Sequence, residues 1–399
     1  MGAEGVRQLS LAETTKQSSL SLVSNLGAIL AGLLVASSLG LFLQKPWIVA
    51  LYPGILSMRG VIGGLFSGRL STGLHLGTVE PRILGRKTET FHTLLNSTVV
   101  LTFGSSMLLG SFAFVFGTFF WGMTPLDMIT ILGILVSTMG LSILAVSPIT
   151  IVVAFSSAKK GLDPDIIVYP ITATMADILV TICYVLVLSL TFSMGEIGQL
   201  IVWSICLMFA FIAANAAFGN RKEGEFVRTI QEALLTMIAV ALIVNVTGSI
   251  LTNIGLKPAI FLVYPALLDV IGGFGAIIGS TATTKLALGT IDSSFTSIRS
   301  HRNQIAGAWT AAVIMYLILA LVSSFYQHLS DLVLMSHYII VFCVTNIVAA
   351  AFMICISFSV AILTFQRGLD PDNFVIPIES SLADTVTTVA LLLALECIA

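Results

Sequence analysis

The sequence predicts an all-α polytopic membrane protein. We expect two parallel five-helix repeats joined by a linker helix, eleven transmembrane helices in all, with a pseudo-two-fold axis along the membrane normal. Three observations predict this. Hydrophobic residues make up 57% of the chain and charged residues only 10%, with a mean hydropathy of +1.03. A soluble fold covers its surface with about 25% charged residues, so lipid must solvate most of this one. The apolar residues fall into long uninterrupted runs. Finally, the second half of the chain repeats the motifs of the first.

Eleven runs are apolar over the roughly 20 residues that cross a ~30 Å hydrocarbon core. They are 20–43, 47–68, 93–121, 129–156, 168–192, 198–218, 229–252, 259–282, 304–325, 337–365 and 375–396. Runs this long and uniform are helices rather than barrel strands. Residues 1–19 form a short polar N-terminus without the features of a cleaved signal peptide. Of the 18 Lys and Arg residues, fifteen fall on the side of the N-terminus, Lys45 and Lys257 fall opposite, and Arg59 lies inside a span. The positive-inside rule then places the N-terminus in the cytoplasm and the C-terminus outside, with the plasma membrane as the expected location. A net charge of −2 offers no basic face for nucleic acid. The five cysteines sit in or at the ends of apolar segments without CxxC spacing, and read as small buried hydrophobes.

The repeat is specific. Gly161-Leu162-Asp163-Pro164-Asp165, Pro170 and Ala176-Asp177 recur as Gly368-Leu369-Asp370-Pro371-Asp372, Pro377 and Ala383-Asp384, at one constant offset. Lys45-Pro46, Tyr52-Pro53, Gly60, Gly63 and Gly77-Thr78 recur as Lys257-Pro258, Tyr264-Pro265, Gly272, Gly275 and Gly289-Thr290. We therefore assign repeat 1 to residues 20–193, a linker with the extra span to 194–225, and repeat 2 to 226–399. An odd number of spans in each unit, plus one between them, sets the two units parallel. A single chain is then expected to act as a pseudo-dimer, with its path on the axis.

Asp177 and Asp384 are the foremost candidate site residues. Each lies well inside a span, where a carboxylate costs about 3 kcal/mol or more to insert. Two carboxylates near a dry axis repel, and a divalent cation resolves that repulsion. Oxygen ligands favour a hard ion, Mg²⁺ first, with Mn²⁺, Co²⁺ and Ni²⁺ open. Ala173 and Thr174, and in the second copy Ser380 and Ser381, lie one turn back and offer backbone or hydroxyl oxygens. Asp165 and Asp372 place carboxylates at the cytoplasmic mouth, where they could also simply favour a helix N-terminus. Glu379 replaces Thr172 and sits about 140° round the helix from Asp384, so a second ion site or a protonated glutamate stays open there. Arg59 and Asp269 break the repeat symmetry, matching Ile271 and Ser57, and are expected to pair across the axis. The glycine-rich second spans fit either close packing or a pore lining. No HxxxH spacing is present, and no zinc site is expected.

On these motifs the chain resembles the MgtE-type magnesium transporter membrane domain. Gly-Leu-Asp-Pro, then a proline and an aspartate at seven-residue steps, carries the resemblance in both copies. Ser67-Gly68-Arg69-Leu70-Ser71-Thr72 is similar to the animal solute-carrier branch, in which two such domains share one chain. The resemblance implies five spans per domain, a path at the two-fold interface, and a central Mg²⁺ held by Asp177 and Asp384. Two departures stand out. Val61 and Gly273 occupy the positions where the family usually carries an asparagine, and no cytoplasmic sensor domain of the bacterial kind is expected before the first span. The expected function is thus a divalent-cation channel or transporter, not an enzyme. A Na⁺- or H⁺-coupled secondary transporter is the nearer alternative. An intramembrane aspartyl protease is the remote one, and no GxGD motif surrounds either aspartate.

Overall fold

The computed structural model describes residues 11–75, 77–81, 88–160, 164–254, 257–287, 289–326, 332–367 and 372–398. Among them every regular element is helical, as a backbone in lipid requires, because no water is present there to satisfy a broken ladder. The chain starts with α1 (Leu11–Val23), a 3₁₀ turn (Ser24–Ala28), α2 (Ile29–Ser37) and the short α3 (Leu39–Phe42). Then come α4 (Pro46–His75), α5 (Glu89–Trp121), α6 (Pro125–Lys159), α7 (Pro164–Ser193) and α8 (Gly195–Asn220). The last five are α9 (Gly224–Leu251), α10 (Pro258–Ala287), α11 (Arg302–Tyr326), α12 (Leu332–Gln366) and α13 (Asp372–Ile398). Ten helices among the described residues are long and apolar enough to cross a membrane. In addition, α13 occupies the stretch of the last expected span. The protein is a polytopic membrane protein.

The ends of the helices follow local chemistry. Gly122, at φ 59°, ends α5 in the left-handed region. Thr124 and Asp127 then form a capping box that starts α6, with Pro125 at its first position. The repeated Gly-Thr pairs have the same cause. Gly77 and Gly289 both adopt positive φ, at 71° and 64°. Gly289 N donates to Leu286 O at 3.0 Å and Thr290 N to Lys285 O at 2.9 Å, which is a Schellman stop after α10. In the first copy Gly77 N donates to Leu74 O at 3.3 Å.

The first helix departs from expectation. Its described part already runs from Leu11 rather than from residue 20, and takes in the polar run Glu13 to Lys16. Thr14 and Ser18 are buried, and Gly307 on α11 leaves room for Thr14. Hydropathy alone assigns those residues to water; packing against a glycine face recruits them into the helix. The cysteines also differ in part. Cys206 is buried, but Cys355 and Cys397 are exposed, an exposure that lipid tolerates as water does not.

The chain forms two compact units, Leu30–Leu262 and Met1–Ile29 with Val263–Ala399. They do not coincide with the sequence repeats. In the first unit α9, which opens repeat 2, packs on α4 and α5 of repeat 1. In the second unit α1, which opens repeat 1, packs on α11 of repeat 2. The contacts use glycine. A Cβ on Gly248 would lie 1.9 Å from Ala50 O, and one on Gly32 would lie 1.8 Å from Leu262 O. Ala50 and Leu262 are equivalent positions in the repeat, each three residues before the helix-interior prolines Pro53 and Pro265. The linker helix α8 docks on α5, α6 and α7, where Gly133 and Gly140 face Trp203 and Phe209. Its other face carries exposed Ile197, Leu200, Leu207 and Phe211, as a lipid-facing helix should.

Candidate functional site

In the first unit the site forms where α4 runs antiparallel along α7. Three polar contacts step along the seam. Tyr184 Oη donates to Ile48 O at 2.7 Å. Tyr52 Oη lies 3.0 Å from Thr181 Oγ1. Thr181 spends its own hydroxyl hydrogen on Asp177 O, at 2.7 Å, so Tyr52 is the donor of that pair. Further along α4, Arg59 Nη2 donates to the Asp177 carboxylate in an ion pair. The Asp177 and Arg59 side chains are only 4% and 12% exposed. Tyr52 and Tyr184 stack with ring centroids 6.2 Å apart, and Phe42 packs edge-on to both. This apolar aromatic block holds one end of the seam rigid.

The second unit repeats the seam between α10 and α13. Tyr264 Oη lies 2.8 Å from Thr388 Oγ1, and Thr388 donates to Asp384 O at 2.7 Å. Tyr264 and Thr388 match Tyr52 and Thr181 in the repeat. The register position of Arg59, however, holds Ile271, which is fully buried. The two halves therefore share a tyrosine, a threonine and an aspartate, while the Arg59 guanidinium and the Tyr184 hydroxyl have Ile271 and Leu391 at their register positions.

Arg59 was expected to pair with Asp269, and the structure gives it Asp177 instead. The sequence argument matched the two asymmetric charges of opposite copies, whereas α4 packs directly on α7 and brings Asp177 within reach. Asp269 is half-buried on α10, and its backbone carbonyl accepts a 2.9 Å hydrogen bond from Asn25 Nδ2. Asn25 also lies over Gly273, 3.1 Å from where a Cβ would stand. Ala173 and Thr174 lie half-buried on α7, one turn before Asp177. The side chains of Asp165, Asp372, Ser380 and Ser381 lie outside the described residues, as do Asp163 and Asp370. Glu379 is 1% exposed, and among the described residues neither of its carboxyl oxygens has a hydrogen-bond partner. It packs near Gly275 of α10. Among the described residues no group of three or more His, Cys, Asp or Glu side chains could hold a metal ion.

The glycines of α4 and α10 fall into two groups. Gly54 packs against Leu109 and Val244, and Gly275 against Met353. Gly60, Gly63 and Gly68 face open space. Beside Arg59, a cavity of about 20 Å³ is lined by Gly63, Thr102 and Ser142 among others. Toward the end of α4 a half-open cavity of about 310 Å³ is lined by Arg69, Thr72, Thr78, Thr90, Thr93 and Thr229 among others. Sequence reasoning missed the Tyr-Thr contacts. Their signal was present: Thr181 and Thr388 each follow the aspartate by one turn, and each tyrosine belongs to a repeated Tyr-Pro pair.

Neither the curated proteins nor the solved structures compared with this chain contain a match. The family model described as MgtE, divalent cation transporter, matches residues 52–187 and again residues 264–394. The first match runs from Tyr52 past Thr181 and the second from Tyr264 past Thr388, so each takes in the Tyr-Thr-Asp arrangement of its half. Together the matches cover most of the sequence, and the chain belongs to the MgtE family of divalent cation transporters.

Proposed function

We propose that this protein carries Mg²⁺ across the plasma membrane, with Asp177 and Asp384 as the carboxylates that meet the ion. The observation that carries the reading is the recurrence of one arrangement, Tyr-Thr-Asp, in both compact units, with Asp177 buried and Asp384 half-buried. Each carboxylate projects from a helix whose backbone is fixed by the threonine and, through it, by a tyrosine on the neighbouring helix. Aspartates within spans are expensive, so they persist where a cation uses them. On the sequence repeat the two act as one central acidic site, and a single chain serves as a pseudo-dimer. Two carboxylates and few other ligands suit an ion that keeps much of its water, which Mg²⁺ does. The Lys and Arg distribution sets the N-terminus in the cytoplasm and the C-terminus outside.

The test is Mg²⁺ uptake into proteoliposomes. D384N should lose most flux. D177N strands a buried guanidinium, so the informative variant on that side is R59M/D177N, which should also lose flux. Wild-type flux in both overturns the assignment. Repeating uptake with Na⁺ and H⁺ gradients collapsed separates passive flow from coupled transport: retained uptake means a channel.

A further inference from the structure

We infer that Arg59 is a tethered competitor for the transported cation: the repeat 1 carboxylate carries a counter-ion from its own chain, which the substrate must displace. The inference rests on the reading that Asp177 and Asp384 meet the ion. Three observations support it.

First, the ion pair is buried and sits on the candidate ligand itself. A guanidinium and a divalent cation cannot both take the same carboxylate oxygen. Second, the pair is specific to one half. Ile271 stands where a second arginine would be needed, although the tyrosine, threonine and aspartate around it are the same. A purely architectural role for the charge would apply to both halves of a duplicated fold. Third, Arg59 is held by only part of its donor set. Among the described residues its buried Nε has no hydrogen-bond partner, whereas a fixed Arg-carboxylate clamp typically uses two parallel bonds.

The surroundings also place acceptors and space for a water beside the head group. The cavity of about 20 Å³ beside it has room for about one water molecule. Thr102 and Ser142 line it, and both spend their hydroxyl hydrogens on backbone carbonyls, Thr98 O and Met139 O. Their oxygens therefore remain acceptors. A guanidinium that tilts away from Asp177 can find acceptors there, directly or through a water, and its withdrawal frees the carboxylate for the ion. The cation-competent state is then a minor population in the absence of ion, and the apparent affinity falls by that fraction.

The experiment measures Mg²⁺ binding by calorimetry to purified full-length protein in detergent, with Mn²⁺ binding by electron paramagnetic resonance as a second probe. R59M should tighten binding about ten-fold or more, the factor expected when a state populated at 10% or less becomes the resting one. The gain should vanish in the D177N background, R59M/D177N binding no tighter than D177N. Wild-type affinity in R59M overturns the inference. So does a gain that survives in D177N, because it would reflect through-space repulsion rather than competition. If R59M yields no folded protein, R59K replaces it. Lysine reaches less far and lacks the planar fork, so a displaceable competitor predicts tighter Mg²⁺ binding, and unchanged affinity overturns the proposal. Failure of the functional reading looks different: D384N and R59M/D177N would then keep wild-type flux, whatever R59M does to affinity.

Discussion

Gly248→Ala tests the exchange of first helices between the two halves. The added Cβ would stand 1.9 Å from Ala50 O, 2.7 Å from its carbonyl carbon and 2.9 Å from its Cα. Ordinary contact begins near 3.4 Å. The obstacle is backbone, so no rotamer change relieves it, and α9 must move off α4 by roughly 1.5 Å on the scale of a van der Waals contact. Overpacking of this kind costs about 1–3 kcal/mol, and rigid backbone on both sides puts the expected loss at about 3 kcal/mol. The sign makes the test sharp. Elsewhere in a helix Gly→Ala stabilises by about 0.5–1 kcal/mol. Gly104 in α5 meets nothing within 4 Å and is the control. Unfolding by SDS titration in mixed micelles, followed by far-UV circular dichroism, reads both. We expect G248A to lose about 3 kcal/mol while G104A gains up to about 1. Equal behaviour of the two variants would refute the close approach of α9 to α4.

Tyr264→Phe and Tyr52→Phe should each cost about 1–2 kcal/mol, because each removes a buried hydrogen bond and leaves a threonine acceptor unused; the same SDS titration reads the loss, and a null effect in both would remove the seam as a support of the aspartates. In Mg²⁺-free buffer R59M and D177N should each destabilise by about 3–5 kcal/mol by leaving one buried charge uncompensated. The double variant should recover about 3 kcal/mol of their sum, and strict additivity in that cycle would show that the pair is not formed.

The class of fold was legible because it follows from composition. A chain this apolar has no option but spanning helices, and the Gly-Thr and Asp-Pro pairs mark where they stop and start. The compact units were not legible. Nothing in the residues of 224–251 says that α9 packs on repeat 1, since Gly248 reads like any small residue of a span until Ala50 O is seen against it. Arg59 fails in a similar way. The sequence shows an isolated charge in a span and demands a partner, but several carboxylates could serve, and only the antiparallel seam selects Asp177. Thr181 and Thr388 were visible as letters one turn beyond each aspartate, yet a threonine in a span most often bonds its own helix. These two do so as well, and accept from tyrosine besides, which only the neighbouring helix reveals.

The single guanidinium explains what a fused duplication allows. A site built on two equal carboxylates is unstable when empty, because each buried charge lacks compensation until an ion arrives. A homodimer of identical subunits has only symmetric remedies: it can place a cation beside both carboxylates or beside neither. Beside both, the substrate would have to displace two counter-ions; beside neither, the empty state would bear the whole charge. A single chain with two diverged halves can take the intermediate course. Arg59 compensates Asp177, while Asp384 has an isoleucine at the same register. Under the proposed function, the empty protein then has the Asp177 charge compensated by Arg59, and the incoming dication displaces one guanidinium rather than two. Affinity is lowered in return, and a bound ion that must leave again on the far side is helped by that loss.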